Sequence, residues 1–181
     1  MEEALFFIPI GGGFTKTVDH LLLGRYLLAQ SGTPALRKHR RAFLLGCVEP
    51  DYNPLSYLRG LRRHGAFRGH NAENVDAFLA RTALSLEKSG VYTARDAFRL
   101  GALLHYAADA FTAPHNAFWP GSLAAHRAYE WSLHAVFADF LRETHRDLPR
   151  GGWASLRRAY CAETYCPERD CRYILAACAA L

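Results

Sequence analysis

Two histidine–carboxylate pairs at helical spacing lie within residues 103–130. His105 and Asp109 are four residues apart, and so are His126 and Glu130. Residues i and i+4 share one face of a helix, so each pair points in one direction from its own helix. The proline- and glycine-containing segment between the pairs predicts a turn that folds the second helix back against the first.

These pairs favour a buried metal site over a surface ion pair, although a single His-x3-Asp pair would not. The residues around His105 and Asp109 are apolar: Leu103, Leu104, Ala107, Ala108 and Phe111. A buried carboxylate is costly unless it is paired or bound to a cation. With His115 in the intervening turn, imidazoles and carboxylates converge from two antiparallel helices, as a zinc site requires.

The chain length of 181 residues predicts one domain, residues 1–181. The longest apolar runs are far below the ~18–20 residues of a membrane span. The N-terminal sequence MEEALFF is acidic before its apolar run, whereas a secretory signal begins with basic residues. We therefore expect a cytoplasmic protein without a transmembrane segment.

The positive charge is concentrated in residues 31–70, which hold eight basic and two acidic residues and account for the whole net excess of +5. Such a basic region attracts phosphate esters, nucleic acid or an anionic membrane. For the run from Arg37 to Arg41, a solvated helix face is the simpler interpretation.

Four of the five cysteines lie near the C-terminus: Cys161, Cys166, Cys171 and Cys178. Their spacing does not match the CxxC pairs of common zinc modules. We expect reduced thiols, as is usual in a cytosolic protein, and a separate metal or cluster site there is the less favoured alternative.

Hydrophobic periodicity predicts an all-α fold, a compact bundle of seven or eight helices. The predicted helices cover about 15–31, 34–47, 55–63, 94–111, 122–144, 154–162 and 170–180, with another from a cap at Asn71 or Asn74 to about 88. Pro50 and Pro54 predict a rigid loop that presents Asp51. The weak strand candidate is residues 5–10. Beyond a ligand core of about 18–134 lies a cysteine-rich helical tail of about 150–181.

The candidate ligands supply nitrogen and oxygen atoms and no thiolate. They are His20, Asp51, His64 or His70, His105, Asp109, His115, His126 and Glu130. One zinc ion takes about four ligands, so this set indicates two or three ions. Carboxylates such as Asp109 can bridge two ions, and two-metal sites of that kind hydrolyse phosphoesters.

The sequence resembles the zinc-dependent phospholipases C, whose helical fold is shared with the single-strand-specific zinc nucleases. The family motif, His-x3-Asp-x5-His followed by His-x3-Glu, is met in LLHYAADAFTAPHN and HRAYE. GCVEPDYNP resembles the family's aspartate-containing loop and places Asp51 as a ligand. DHLLLG resembles its N-terminal helix histidine and places His20. These matches extend over most of residues 18–134.

The resemblance implies a metal-dependent phosphodiester hydrolase that cleaves a phospholipid head group with a zinc-activated water. It implies one zinc held by Asp51, the loop histidine, His105 and Asp109. A second zinc would be held by His115, His126 and Glu130. A third would be held by His20 with Asp109. Asp51 would also be the general base that orients the attacking water.

Two features depart from the family pattern. The processed N-terminal residue of secreted members binds the third zinc, whereas this chain starts nineteen residues before His20, which leaves the third ion open. For the loop histidine, the separation from Asp51 favours His64, but the His-Asn context favours His70, which we prefer. His64 would then be a substrate-side residue near Arg68, or a surface residue.

Other residues have supporting roles in this prediction. His134, four residues after Glu130, would brace that ligand or a metal-bound water, and Asn71 would support the site behind the ligands. Trp119 is a core residue or lines a substrate pocket. The alternative functions are a zinc-dependent nuclease or nucleotidase, with nucleic acid as the less favoured partner, and a non-catalytic metal-stabilised helical domain. A phospholipid substrate would also bring peripheral contact with an anionic membrane.

Overall fold

The computed structural model describes residues 15–58, 70–143 and 147–181, and these residues form helices and connections without a strand. The α-helices are α1 (Thr15–Gln30), α2 (Pro34–Lys38), α3 (Arg40–Tyr52), α4 (Ala72–Ser89), α5 (Ala94–Ala110), α6 (Leu123–Phe140), α7 (Trp153–Ala162) and α8 (Pro167–Ala179), with two 3₁₀ helices at Pro54–Leu58 and Ala113–His115. The all-α prediction is confirmed, and the strand candidate at residues 5–10 lies outside the described residues.

Side-chain caps explain where α4 and α5 begin. The Asn71 side chain accepts a hydrogen bond from the Glu73 backbone N–H, so Asn71 and not Asn74 caps α4. Thr93 and Asp96 form a reciprocal capping box at the start of α5. Such caps satisfy backbone donors that a helix leaves unpaired at its first turn.

The prediction for residues 34–54 was partly wrong. The helix predicted over 34–47 is divided at His39, and its second part, α3, continues through Pro50 to Tyr52. Asp51 therefore lies in the last turn of a helix and not on a loop. Because Pro50 stands near the helix end, it removes only one intrahelical hydrogen bond. The Ser56 hydroxyl also donates to the Pro50 carbonyl at 2.6 Å.

Two other predicted helices differ in extent. The helix predicted from residue 55 is a 3₁₀ helix at Pro54–Leu58 in its described part, and α6 ends at Phe140, short of residue 144. The boundaries of the remaining helices agree with the prediction to within about three residues, the usual uncertainty of helix ends.

Helices α3 and α5 pack closely and run in the same direction. A Cβ atom on Gly46 would lie 2.1 Å from the Phe98 carbonyl oxygen, and one on Gly101 would lie 2.1 Å from the Phe43 carbonyl oxygen. Glycine at both crossing positions thus lets the two backbones touch. This approach brings the C-terminal ends of α3 and α5, and with them Asp51 and His105, together.

The C-terminal helices α7 and α8 pack in the same hydrophobic core as the helices that carry the candidate ligands. Phe111, just after α5, contacts Tyr160 of α7 at 5.2 Å and Tyr173 of α8 at 5.9 Å between ring centroids. Ile174 and Cys178 of α8 are buried in the same hydrophobic cluster. None of the helices in the described part of the chain has both the length and the apolarity of a membrane span.

Candidate metal centre

The first candidate metal group consists of His70, His105 and Asp109, and all three side chains are buried. His70 Nδ1 lies 2.8 Å from Asp109 Oδ2, His105 Nε2 lies 3.5 Å from the same oxygen, and the two ring nitrogens are 3.3 Å apart. Ligand atoms around a tetrahedral zinc lie about 3.3 Å apart, given bonds of about 2.0–2.1 Å. The group therefore has nearly the dimensions of a zinc site.

Polar groups behind the two rings fix their orientation. His105 Nδ1 lies 2.9 Å from the Cys47 carbonyl oxygen and donates to it, which leaves the Nε2 lone pair facing the group. The Ser56 hydroxyl donates to Pro50, so its oxygen accepts from His70 Nε2 at 3.2 Å, and this places His70 Nδ1 2.8 Å from Asp109 Oδ2. Such partners are typical of metal-ligating histidines.

The second candidate group consists of His115, His126 and Glu130. Glu130 Oε1 lies 3.4 Å from His115 Nε2 and 2.6 Å from His126 Nε2. His115 Nδ1 donates to the His70 carbonyl oxygen at 2.9 Å, so its Nε2 lone pair faces Glu130. That hydrogen bond also links the second group to the backbone of the first.

In both groups, imidazole nitrogens and carboxylate oxygens converge within 4.8 Å of one another in a largely buried site. A divalent cation placed between such atoms would bind all of them at once. Imidazole with carboxylate is a ligand set that suits zinc.

A third group brings His20 and Asp51 to His105. The His20 and His105 rings stack with centroids 3.8 Å apart, and His20 Nε2 lies 3.2 Å from Asp109 Oδ1. Burial lowers the pKa of His20 to about 4, and His105 lowers it as well, so the ring is neutral near pH 7. Asp109 thus faces His20 with one oxygen and His70 with the other.

Asp51 lies at the edge of this group. The Thr17 hydroxyl donates to Asp51 Oδ2 at 2.7 Å, while Oδ1 lies 3.6 Å from His105 Nε2. One carboxylate oxygen is therefore fixed by α1, and the other faces the candidate metal position. The side chain retains 14% exposure, so water can reach it.

The structure brings together eight of the sequence-predicted ligands, with His70 as the loop histidine. They are His20, Asp51, His70, His105, Asp109, His115, His126 and Glu130. The alternative loop histidine His64 and the substrate candidate Arg68 lie outside the described residues.

The predicted supporting residues have other contacts. His134 Nδ1 lies 2.7 Å from Asp19 Oδ1, and its predicted role beside Glu130 stays a prediction. Burial raises the pKa of Asp19 to about 6, and His134 partly offsets this. The described hydrogen bond of the Asn71 side chain is its α4 cap. The Trp119 ring packs against the rings of Tyr129 and Tyr165.

Sequence reasoning missed three residues that contact the candidate ligands or the segments that carry them. Thr17 and His20 are three residues apart on α1, and this shared helix face could have identified Thr17. Ser56 reaches His70 only because the chain after Pro54 turns as a 3₁₀ helix, and no sequence signal marks it. Asp170 belongs to the C-terminal tail, which the motif match did not include.

The basic residues 38–41 are separate from the metal groups. Lys38, His39, Arg40 and Arg41 line a surface hollow with Ala94, where α3 and α5 begin. Asp51 lies about 16 Å further along α3, at about 1.5 Å per residue. The arginines predicted nearer the site, at positions 59–68, lie outside the described residues.

The cysteines do not take part in the candidate metal groups. All five thiols are free: Cys161 and Cys166 are exposed, whereas Cys47, Cys171 and Cys178 are buried. Groups of potential ligands in the described residues contain only histidine, aspartate and glutamate.

Comparison with known proteins agrees with this geometry. Residues 19–174 match the sequence model of the family described as zinc dependent phospholipase C, a range that contains every candidate ligand and reaches into α8. No curated protein and no solved structure matches the chain. Because the family match covers most of the sequence, the chain belongs to the zinc-dependent phospholipase C family.

Proposed function

We propose that this protein is a zinc-dependent phosphodiester hydrolase that cleaves the head group of a phospholipid. The observation that carries the proposal is the pair of adjacent groups of imidazole and carboxylate side chains, each with its ligand atoms within 4.8 Å of one another. They are joined through the hydrogen bond from His115 to the His70 carbonyl and by the 4.0 Å approach of His115 Nδ1 to Asp109 Oδ2.

Each ligand group would hold one zinc ion. The ligands of the first ion would be Asp51, His70, His105 and Asp109, those of the second His115, His126 and Glu130, and a third ion would use His20 with Asp109. Bound zinc supplies positive charge for the substrate phosphate and lowers the pKa of water to about 7.

Asp51 is our candidate for the general base. Its Oδ2 is held by Thr17, which sets the carboxylate plane, and its Oδ1 faces the ligand group. A carboxylate held in this way can orient a water molecule and accept its proton as the water attacks phosphorus.

Exposed apolar side chains beside the ligands support a lipid substrate. Tyr52 follows Asp51 and is 52% exposed, and Leu55 in the first 3₁₀ helix is 66% exposed. Trp131 follows Glu130 and is 62% exposed. Tyrosine and tryptophan suit a membrane interface because one part of each ring is apolar and the other is polar. These exposed side chains are consistent with peripheral contact with a membrane surface.

A nuclease is the second candidate, favoured by an aromatic cluster next to the second 3₁₀ helix. Phe118 and Tyr165 are both partly exposed and stack with their ring centroids 6.3 Å apart, and Trp119 lies 5.2 Å from Tyr165. Aromatic faces of this kind bind the bases of single-stranded nucleic acids. We rank it second because the family match names a phospholipase.

The test compares two substrates on the zinc-loaded protein. Release of the phosphorylated head group from phosphatidylcholine vesicles is measured beside digestion of single-stranded DNA. Asp109→Asn removes a central ligand, and Asp139→Asn, an exposed carboxylate on α6, is the matched control. Head-group release that Asp109→Asn abolishes supports the proposal. Digestion of DNA alone supports the nuclease, and activity on neither substrate argues against both.

A further inference from the structure

Asp170 of α8 is a fully buried carboxylate that accepts hydrogen bonds from four residues. Oδ2 accepts from the Ala113 backbone N–H at 2.8 Å and from the Tyr129 hydroxyl at 2.9 Å. Oδ1 accepts from the Tyr160 hydroxyl at 3.0 Å and from the Arg169 guanidinium at 2.9 Å. The carboxylate is therefore held from two sides, and the side at Oδ2 faces the metal centre.

Both donors to Oδ2 belong to the elements that carry the second metal group. Ala113 begins the 3₁₀ helix that ends at His115. Tyr129 immediately precedes Glu130 in α6. One oxygen atom of Asp170 thus binds both the backbone before His115 and the helix turn that bears Glu130. These two candidate ligands are 15 residues apart in sequence.

The other end of the 3₁₀ segment is also tied to the C-terminal helices. Arg157 of α7 donates to Asn116 Oδ1 at 2.7 Å, and Asn116 donates from Nδ2 to the Thr112 carbonyl at 2.9 Å. The segment that presents His115 is consequently fixed before and after the histidine. Hydrogen bonds to a buried charge are short and strong, and they hold geometry well.

We propose that Asp170 is the positioning residue of the second metal group, acting through Ala113 on His115 and through Tyr129 on Glu130. The inference rests on the proposed function, since it requires that this group holds zinc. It assigns a role to a buried acid outside the ligand set. Arg169 donates to Oδ1 of that acid at 2.9 Å, and its guanidinium lies 3.9 Å from the centroid of the Tyr160 ring.

The two tyrosines offer a matched pair of variants. Tyr129→Phe removes a donor from Oδ2 on a ligand helix, whereas Tyr160→Phe removes a donor from Oδ1 on α7, which carries no candidate ligand. Both variants lose one hydroxyl to the same carboxylate, so a general loss of stability affects both. A positioning role affects zinc binding only in Tyr129→Phe.

The experiment measures zinc affinity by competition with a chromophoric chelator, and His126→Asn identifies the zinc ion that belongs to the second group. We expect Tyr129→Phe and Asp170→Asn to lower the affinity for that ion about tenfold, as happens when residues that support metal ligands are changed. Tyr160→Phe should leave it unchanged. The ion that depends on His70 should keep its affinity in all three variants.

The outcomes separate this inference from the proposed function. If the wild-type protein binds no zinc that depends on His126, the proposed function fails and the positioning role fails with it. If the wild-type protein binds that zinc and Tyr129→Phe changes its affinity no more than Tyr160→Phe does, only the positioning role is refuted. Because Tyr129→Phe keeps the buried ion pair, the test does not depend on Asp170→Asn folding.

Discussion

His70 Nδ1 lies 2.8 Å from Asp109 Oδ2, although Nε2 of the same ring is already paired with the Ser56 hydroxyl. Both side chains are buried, so the contact holds an imidazole and a carboxylate together away from water. A buried carboxylate is costly unless it is paired or bound to a cation. Because His105 Nε2 lies 3.5 Å from the same oxygen, the three groups have the residue types and nearly the spacing of a zinc site.

Zinc content should depend on Asp109. We expect two or three zinc ions per chain in the wild-type protein and the loss of at least one in Asp109→Asn, because the carboxamide replaces one ligand oxygen with an NH₂ group that cannot bind a cation. Elemental analysis of the purified protein checks this. Asp139→Asn should keep the full zinc content. Equal zinc content in the two variants would contradict the proposed first metal group.

Turnover should depend on Asp51. We expect Asp51→Asn to reduce head-group release by about 10²–10⁴-fold, the usual contribution of a general base, while circular dichroism shows an unchanged helical fold. Glu49→Gln is the control on the same helix. The Glu49 carboxylate accepts a hydrogen bond from the Asn53 side chain at 2.6 Å, and Glu49 is not a candidate ligand. Full activity of Asp51→Asn would remove Asp51 from the mechanism.

The contact between α3 and α5 should not tolerate a methyl group. Gly46→Ala places Cβ 2.1 Å from the Phe98 carbonyl oxygen, so we expect a loss of about 1–3 kcal/mol in the free energy of unfolding and weaker zinc binding as Asp51 and His105 move apart. Gly32→Ala has no atom within 4 Å of the new Cβ and should be nearly neutral. Urea denaturation of both variants measures the difference, and equal stabilities would contradict the close approach.

Two of the five thiols should react fast and the other three slowly. Cys161 and Cys166 are exposed and should react with a thiol reagent in the folded protein. Cys47, Cys171 and Cys178 are buried, and burial raises the pKa of Cys47 to about 12, so these thiols should react only on unfolding.

Zinc content provides a second test of the cysteines. The double variant Cys161→Ser/Cys166→Ser should bind as much zinc as the wild-type protein, because these thiols lie in no candidate metal group. Zinc loss in this variant would support a separate cysteine site, whereas equal reactivity of all five thiols would contradict the burial of Cys47, Cys171 and Cys178.

The helices and most members of the candidate metal groups could be predicted from sequence because their signals are local. The spacing of His105 and Asp109 is a property of one helix, and the caps at Asn71 and Thr93 act within one turn. Asp51 was placed on a loop because Pro50 usually ends a helix, and local rules do not show that one missing hydrogen bond is tolerable at the last turn.

The contacts that orient the ligands could not be predicted because they join distant parts of the chain. Ser56 and His70 are 14 residues apart, and Ala113 and Asp170 are 57 residues apart. Neither pair has a sequence spacing that indicates contact, since the bundle packing alone brings them together. The contact between His134 and Asp19 of α1 is of the same kind, since these residues are 115 positions apart in sequence.

The place of Asp170 near the end of the chain also bears on the order of events during synthesis. Every candidate ligand has been made once residue 130 is added, yet the acid that holds Ala113 and Tyr129 is added forty residues later. A nascent chain therefore carries all of its ligands for some time before it can fix the second group. On this view, metal capture at that group is a late step that follows the docking of the last helix.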